Sequence, residues 1–84
     1  MNNMETTKPR LLCEIAAEIK QDWTNVHAFA FPYLKAMRLL ETIDDKYGAE
    51  YGSEIVLKFL SNSQTWRGEK ARQIKTELRT ILNR

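Results

Sequence analysis

Residues 53–61, Ser-Glu-Ile-Val-Leu-Lys-Phe-Leu-Ser, contain a short and almost fully apolar run over residues 55–60 that decides the fold. Ser53 is a good N-cap residue, and Glu54 places a negative charge in the first turn of a helix. A helix over these residues is apolar on most of its sides. We therefore predict that it is the central and most buried element of the protein.

Three amphipathic segments flank this stretch and complete an all-α fold. In each of them apolar residues recur at spacings of three and four, which is typical of a helix with one buried face. The short alternation over residues 27–31 abuts Pro32, so we do not predict a strand there. The sequence predicts a small bundle of four helices, at about residues 9–23, 32–47, 53–61 and 65–82.

Local signals set the ends of these helices. Pro32 suits a first helical turn, where an N–H group would lack a partner in any case. Gly48 is predicted to cap the second helix at its C-terminus, and Thr65 to cap the last helix at its N-terminus. Residues 1–7 are polar and without period, so we expect a disordered tail before a single domain over residues 8–84.

The connection over residues 24–31 is too apolar for a solvated loop. Val26, Phe29 and Phe31 are predicted to fold back over one end of the core, either extended or in a distorted helical turn. A second copy of the chain could also cover them together with Tyr51, because the core of so small a domain is marginal. A homodimer is therefore a further expectation.

Size and composition exclude several classes of protein. The chain has 84 residues, of which 43% are hydrophobic and 29% charged, and this profile fits one small soluble domain. No apolar run approaches the roughly 18 residues that span a bilayer, and no signal segment opens the chain. We expect a cytoplasmic protein that does not bind a membrane.

The sequence contains no recognisable catalytic or metal-binding set of residues. Cys13 is its one cysteine and His27 its one histidine, so an internal disulfide and the usual structural zinc sites are excluded. Nothing around His27 suggests a nucleophile and an orienting acid, and no glycine-rich phosphate loop occurs. We predict a protein that is not an enzyme and needs no cofactor and no metal.

Charge is distributed unevenly along the chain, although the net charge is only +2. Residues 1–57 carry six Lys and Arg against nine Asp and Glu, a net charge of −3. Residues 58–84 carry seven against two, a net charge of +5. A basic last helix attracts anionic partners, although Lys70, Lys75 and Arg79 taken singly also fit a solvated or internally paired helix face.

Two charge clusters lie at unfavourable helix ends, and two ways of compensating them stay open. Cations are unfavourable near a helix N-terminus, and Glu41, Asp44 and Asp45 crowd the equally unfavourable C-terminal end of helix two. Arg67 or Arg72 is therefore expected to pair with Asp44 or Asp45. The alternative is that the three carboxylates bind a divalent ion, although adjacent helical residues point about 100° apart.

Trp23 and Trp66 allow a structural and a functional interpretation. Trp23 continues the buried stripe of the first helix and Trp66 can fix the preceding loop, so both are predicted to lie in the core or at its edge. Beside Arg67, they would alternatively stack on nucleic-acid bases. The turn over residues 61–64 also suggests a helix-turn-helix, with residues 65–75 as the reading helix.

Motifs along most of the chain occur in a recognisable combination. They are Glu14-Ile15, Asp22-Trp23, Pro32-Tyr33-Leu34, Ala36-Met37, Ile43-Asp44-Asp45, Tyr47-Gly48, Ile55-Val56, Phe59-Leu60, Thr65-Trp66-Arg67-Gly68-Glu69, Ala71-Arg72 and Ile74-Lys75. This combination, over residues 11–82, resembles a family of small prophage- and mobile-element-encoded proteins, usually called hypothetical proteins, without established activity. The resemblance implies a bacterial or phage cytosolic setting and supplies no catalytic or ligand residues.

Together these observations predict a non-enzymatic interaction or regulatory protein of a phage or mobile element that binds a host or element protein. The alternative is a nucleic-acid-binding regulator that uses the same surface. Aromatic and arginine side chains dominate the energetics of interfaces. The predicted binding surface is the basic flank of the last helix with one aromatic anchor: Trp66, Arg67, Lys70, Arg72, Lys75 and Arg79.

Overall fold

The computed structural model describes residues 10–83, which form four helices and one short hairpin. The predicted mostly helical fold is confirmed, but the all-α bundle is wrong because the hairpin replaces the end of the predicted second helix. The predicted tail over residues 1–7 lies outside the described residues. In chain order the elements are α1 Leu12–Asp22, α2 Phe31–Met37, β1 Lys46–Tyr47, β2 Glu50–Tyr51, α3 Gly52–Ser61 and α4 Glu69–Leu82.

The first and last helices each bury one face, as their apolar spacing predicts. Side chains three and four positions apart lie on the same side of a helix, so each stripe faces the common core. The buried residues of these two helices are Leu12, Ile15, Ala16 and Ile19 of α1, and Ala71, Ile74, Leu78 and Ile81 of α4.

Among residues 10–83, no helix is both long enough and apolar enough to cross a membrane.

Helix α2 ends at Met37, about ten residues earlier than predicted. The Asp45 carboxylate accepts the backbone N–H groups of Glu41 and Thr42, each at 3.0 Å. Such side-chain to backbone bonds offer the chain an alternative to a helix. Tyr47, the last residue of the predicted second helix, therefore lies on the hairpin instead and is 46% exposed.

The hairpin turns at Gly48, which was predicted to cap a helix. Lys46 pairs with Tyr51 and Tyr47 with Glu50, so Gly48 and Ala49 form a two-residue loop. Gly48 has a φ of 64°, a left-handed conformation that is open to glycine without steric cost. Two-residue hairpin loops favour this conformation because its twist matches that of the strands.

Residues 40–45, which we call the capping segment, supply backbone carbonyls to the first turns of two helices. The first N–H groups of a helix have no partner within the helix and need acceptors from elsewhere. The capping segment therefore fixes the starts of α1 and α3 relative to each other. The bonds run from Leu12 N to Glu41 O and Cys13 N to Leu40 O, both 2.9 Å, and from Gly52 N to Asp45 O, 2.7 Å, and Ser53 N to Ile43 O, 2.9 Å.

Helix α3 is less symmetrically buried than its sequence predicts. Ile55, Val56 and Phe59 are buried, but the Leu57 side chain is 55% exposed. The helix begins at Gly52, so Ser53 lies inside its first turn and is not the N-cap. The prediction of a central helix buried on most sides is therefore wrong on the side that carries Leu57.

Three aromatic rings fill one end of the core, and the predicted burial of both tryptophans is confirmed. Trp23 and Trp66 stack with ring centroids 5.7 Å apart and planes 8° apart. Phe59 meets their edges at centroid distances of 6.1 and 6.3 Å. Trp66 donates its indole N–H to the Asp22 carboxylate at 2.8 Å, which ties the α3–α4 connection to the end of α1.

The connection between α1 and α2 covers the core less than predicted. Val26 is half-buried and packs against the core, and Ala30 is fully buried. Phe29 and Phe31 are instead 71% and 45% exposed, so the prediction that they fold back over the core is wrong. The connection ends in a turn over residues 28–30.

Replacing Gly52 with alanine is expected to lower the free energy of unfolding by about 3 kcal/mol, near the upper end for overpacking. A β-carbon at this position would lie 2.7 Å from the Thr42 carbonyl oxygen and 2.9 Å from the Ile43 α-carbon. These are backbone atoms, which cannot rotate aside. Urea denaturation of Gly52→Ala measures the loss.

Gly48→Ala is the matched control, because no atom lies within 4 Å of its added β-carbon. It carries only the cost of its positive φ, about 1 kcal/mol. Equal losses in the two variants would contradict the role of Gly52 as the point where α3 approaches the capping segment.

Asp45→Ala is expected to destabilise the protein at neutral pH and to have little effect in acid. The hydrogen bonds from Thr42 and Glu41 hold the pKa of Asp45 below its usual value in the folded state. The stabilisation is therefore present above the unfolded pKa and is lost as the pH falls through the folded one. Urea midpoints of wild type and variant should converge between neutral pH and about pH 2. Asp44→Ala, which removes a neighbouring exposed carboxylate that does not accept these two hydrogen bonds, is the matched control and should destabilise the protein much less at neutral pH.

Candidate functional site

Most of the predicted basic surface meets in one groove between the α3–α4 connection and α4. The groove has a volume of about 340 Å³. Five of the six predicted site residues line it, and Lys70 does not. We call it the basic groove and define it by its lining: Gln64, Trp66, Arg67, Gly68, Ala71, Arg72, Lys75 and Arg79.

Helical spacing explains why three of these cations share a wall. Arg72, Lys75 and Arg79 lie three and four positions apart on α4, so they project from one side of it. Arg67 comes from the connection, just before the chain turns into the helix. That turn is made at Gly68, the N-cap residue, whose φ is 112°, and the prediction that Thr65 caps the helix is wrong.

Lys75 forms the inner wall of the groove and also holds the connection in place. Its Nζ donates to the carbonyl oxygens of Ser63 at 2.8 Å and Trp66 at 2.7 Å. It also lies 5.8 Å from the centroid of the Trp66 ring. Burial lowers the pKa of Lys75, and the nearby charges of Arg79 and Arg67 lower it further. The positive charges of Arg79 and Arg67 therefore act on this ammonium group in addition to its burial.

The charges of Arg67 and Arg79 are not compensated by an ion pair within residues 10–83. Both side chains belong to exposed residues. Arg72 does pair with Glu69, at 2.5 Å, but its side chain is 72% exposed and stays accessible. Guanidinium groups present a fork of N–H donors that matches carboxylates and phosphates. The groove is thus chemically suited to bind an anion.

Lys70 lies on a different part of the surface from the other five predicted site residues. Its Nζ pairs with Glu18 of α1 at 2.7 Å, and Arg10 bridges Glu18 and Glu77, also at 2.7 Å. The hydrogen bonds from Lys70 and Arg10 lower the pKa of Glu18. On this side of α4, the basic residues are compensated by carboxylates.

Trp66 cannot serve as the exposed aromatic anchor that the sequence predicted. It is only 2% exposed, because it is stacked on Trp23 and faces the core. Neither tryptophan is therefore available for stacking on a nucleic-acid base. Trp66 contributes to the groove indirectly, through its carbonyl bond to Lys75.

The predicted pairing of Arg67 or Arg72 with Asp44 or Asp45 is wrong. It assumed that these carboxylates end a long helix, whereas they lie in a loop. The Asp45 carboxylate caps backbone N–H groups of that loop, and Arg72 binds Glu69. In the described part of the chain, no cluster of three or more His, Cys, Asp or Glu side chains could hold a metal ion.

The connection between α3 and α4 does not have the form of a helix-turn-helix. Seven residues, 62–68, separate the two helices, compared with the three or four of that motif. The first four residues of the predicted reading helix, residues 65–68, are not helical. These residues instead follow a path fixed by Ser63, Trp66 and Lys75.

Sequence reasoning missed three residues of the groove: Gln64, Gly68 and Ala71. Gly68 and Ala71 are small, so they leave space between the connection and the cations of α4. The spacing of four between Ala71 and Lys75 on the last helix was the signal that could have identified Ala71, and no such signal marked Gln64 or Gly68.

Comparison of the chain with protein-family models, with curated proteins and with solved structures gave no match. The resemblance to a family of prophage- and mobile-element-encoded proteins therefore stays a prediction.

Proposed function

We propose that the protein is a non-enzymatic interaction protein that holds an acidic segment of a partner protein in the basic groove. One observation carries this proposal. Arg67, Lys75 and Arg79 converge there, and within residues 10–83 no carboxylate forms an ion pair with any of them.

This arrangement is electrostatically unfavourable in the free protein. Like charges four positions apart on a helix, such as Lys75 and Arg79, repel each other by about 0.2–0.5 kcal/mol. The lowered pKa of Lys75 reflects the same repulsion in addition to burial. A bound carboxylate would relieve it and would accept bidentate hydrogen bonds from the two arginines. Binding a partner therefore gives these charges a physical role.

A protein partner is favoured over nucleic acid by the position of the aromatic rings. Proteins that bind single-stranded nucleic acid combine basic grooves with exposed aromatic side chains on which the bases stack. Here Trp23 and Trp66 are buried against each other. Nucleic acid is the second candidate. The same cations support it, because guanidinium groups bind phosphates as well as carboxylates.

We further propose that the partner is a host or element protein in the bacterial cytoplasm. This setting rests on the resemblance to prophage- and mobile-element-encoded proteins. A small interaction protein of this kind would act there by occupying a surface of its partner. A homodimer is compatible with this role, because Phe29, Phe31 and Tyr51 are exposed.

Reversing the two uncompensated charges, in Arg67→Glu/Arg79→Glu, is expected to abolish capture of the partner from a bacterial lysate. The control is Lys35→Glu/Arg38→Glu, which makes the same change in net charge at two exposed residues near the end of α2. Capture should survive in the control. Quantitative mass spectrometry of the captured proteins compares the three forms of the full chain.

Capture that survives in both double variants would contradict the proposed surface. A titration of labelled duplex and single-stranded DNA at 50 and 200 mM salt tests the second candidate. Salt-sensitive micromolar binding that is lost in Arg67→Glu/Arg79→Glu would replace the protein partner by nucleic acid.

Neutralising the same two charges, in Arg67→Gln/Arg79→Gln, is expected to raise the free energy of unfolding by about 0.2–0.5 kcal/mol. The reason is that it removes the repulsion of Lys75. Lys70→Gln is the control, and it should lower the free energy of unfolding. It breaks the ion pair with Glu18, which contributes up to about 1 kcal/mol. Urea denaturation at low salt measures both. A loss of stability in the double variant would show that favourable interactions of the two arginines, such as that of Arg79 with the C-terminal end of α4, outweigh the repulsion.

A further inference from the structure

A second groove lies next to the basic groove, between α3 and the C-terminal end of α4. Its volume is about 410 Å³. Leu57 and Leu60 of α3 and Leu82 of α4 form its apolar part, and the rest of its lining is polar and includes Arg79. We call it the leucine groove and define it by Leu57, Leu60 and Leu82.

The leucine side chains are accessible to a partner. Leu57 is 55% exposed, and Leu60 and Leu82 are half-buried. A single exposed leucine is common on protein surfaces and needs no explanation. Here three leucines line one groove together with Arg79, which has no carboxylate partner in residues 10–83. Apolar surface surrounded by polar groups is typical of binding surfaces.

The two grooves are adjacent, since Arg79 lines both of them. Arg72, Lys75, Arg79 and Leu82 follow each other on α4 at spacings of three, four and three, so they share one face. The face from Arg72 to Leu82 is about 15 Å long at 1.5 Å per residue. An extended peptide of about five residues spans that length.

We infer that the occupant of this surface is a short acidic segment of a partner protein that also carries a large apolar side chain. The inference rests on the proposed function and names the chemistry of its partner. Acidic side chains bind Arg67 and Arg79, and the apolar side chain packs on Leu57, Leu60 and Leu82. Given the length of the face, acid and apolar residue lie within about five positions of each other.

Selection from a displayed library of random dodecapeptides against the full chain tests this inference. Enriched peptides are expected to combine Asp or Glu with Leu, Ile, Phe or Met within five positions. The best peptide is then labelled, and its affinity is measured by fluorescence anisotropy for wild type and variants.

Leu57→Ser is expected to weaken binding of that peptide about fivefold, since it removes part of an apolar contact. The matched control is Leu39→Ser, at a leucine that is 69% exposed and lies outside both grooves, and it should bind like wild type. Both substitutions replace exposed side chains, so the unfolding midpoints should stay close to that of wild type.

The outcomes separate this inference from the proposed function. Enriched peptides that are acidic but lack an apolar preference, or equal affinities of Leu57→Ser and wild type, would overturn the inference and leave the proposed function intact. Enriched peptides without acidic residues, or with affinity unchanged by Arg67→Glu/Arg79→Glu, would overturn both. A selection that enriches no peptide would also overturn both.

Discussion

The carbonyl groups of the capping segment, residues 40–45, are the constraint on which the rest of the structure depends. They accept the first N–H groups of α1 and of α3, which would otherwise have no partner. One short loop thereby sets the positions of two helices. Asp45 keeps the loop in this shape by binding two of its N–H groups, and Gly52 allows α3 to start against its backbone.

Once α1 and α3 are placed, the aromatic cluster positions the connection to α4. Trp66 stacks on Trp23 and donates to Asp22, while Lys75 binds the carbonyls of Ser63 and Trp66. The connection is therefore fixed from both sides. Arg67 belongs to this connection, so the position of its backbone relative to α4 depends on the contacts of Trp66 and Lys75.

The sequence predicted the parts of the fold that depend on one-sided periodicity and missed those that depend on local competition or tertiary neighbours. The buried faces of α1 and α4 follow from their apolar spacing. The end of α2 does not follow from apolar spacing, because Asp45 accepts hydrogen bonds from the backbone of Glu41 and Thr42, which were predicted to continue the helix. Likewise Lys70 and Lys75 look equivalent in sequence, and only the position of Glu18 assigns Lys70 to a different surface.

Lys75 has two roles, because its two hydrogen bonds to backbone carbonyls hold the α3–α4 connection while its charge contributes to the basic groove. Arg67 and Arg79 contribute charge to the same groove. A substitution at Lys75 changes the shape of the connection together with the charge of the groove. Substitutions at Arg67 and Arg79 change the charge alone, since neither forms an ion pair within residues 10–83. Partner preference can therefore diverge at residues 67 and 79 while the fold is retained.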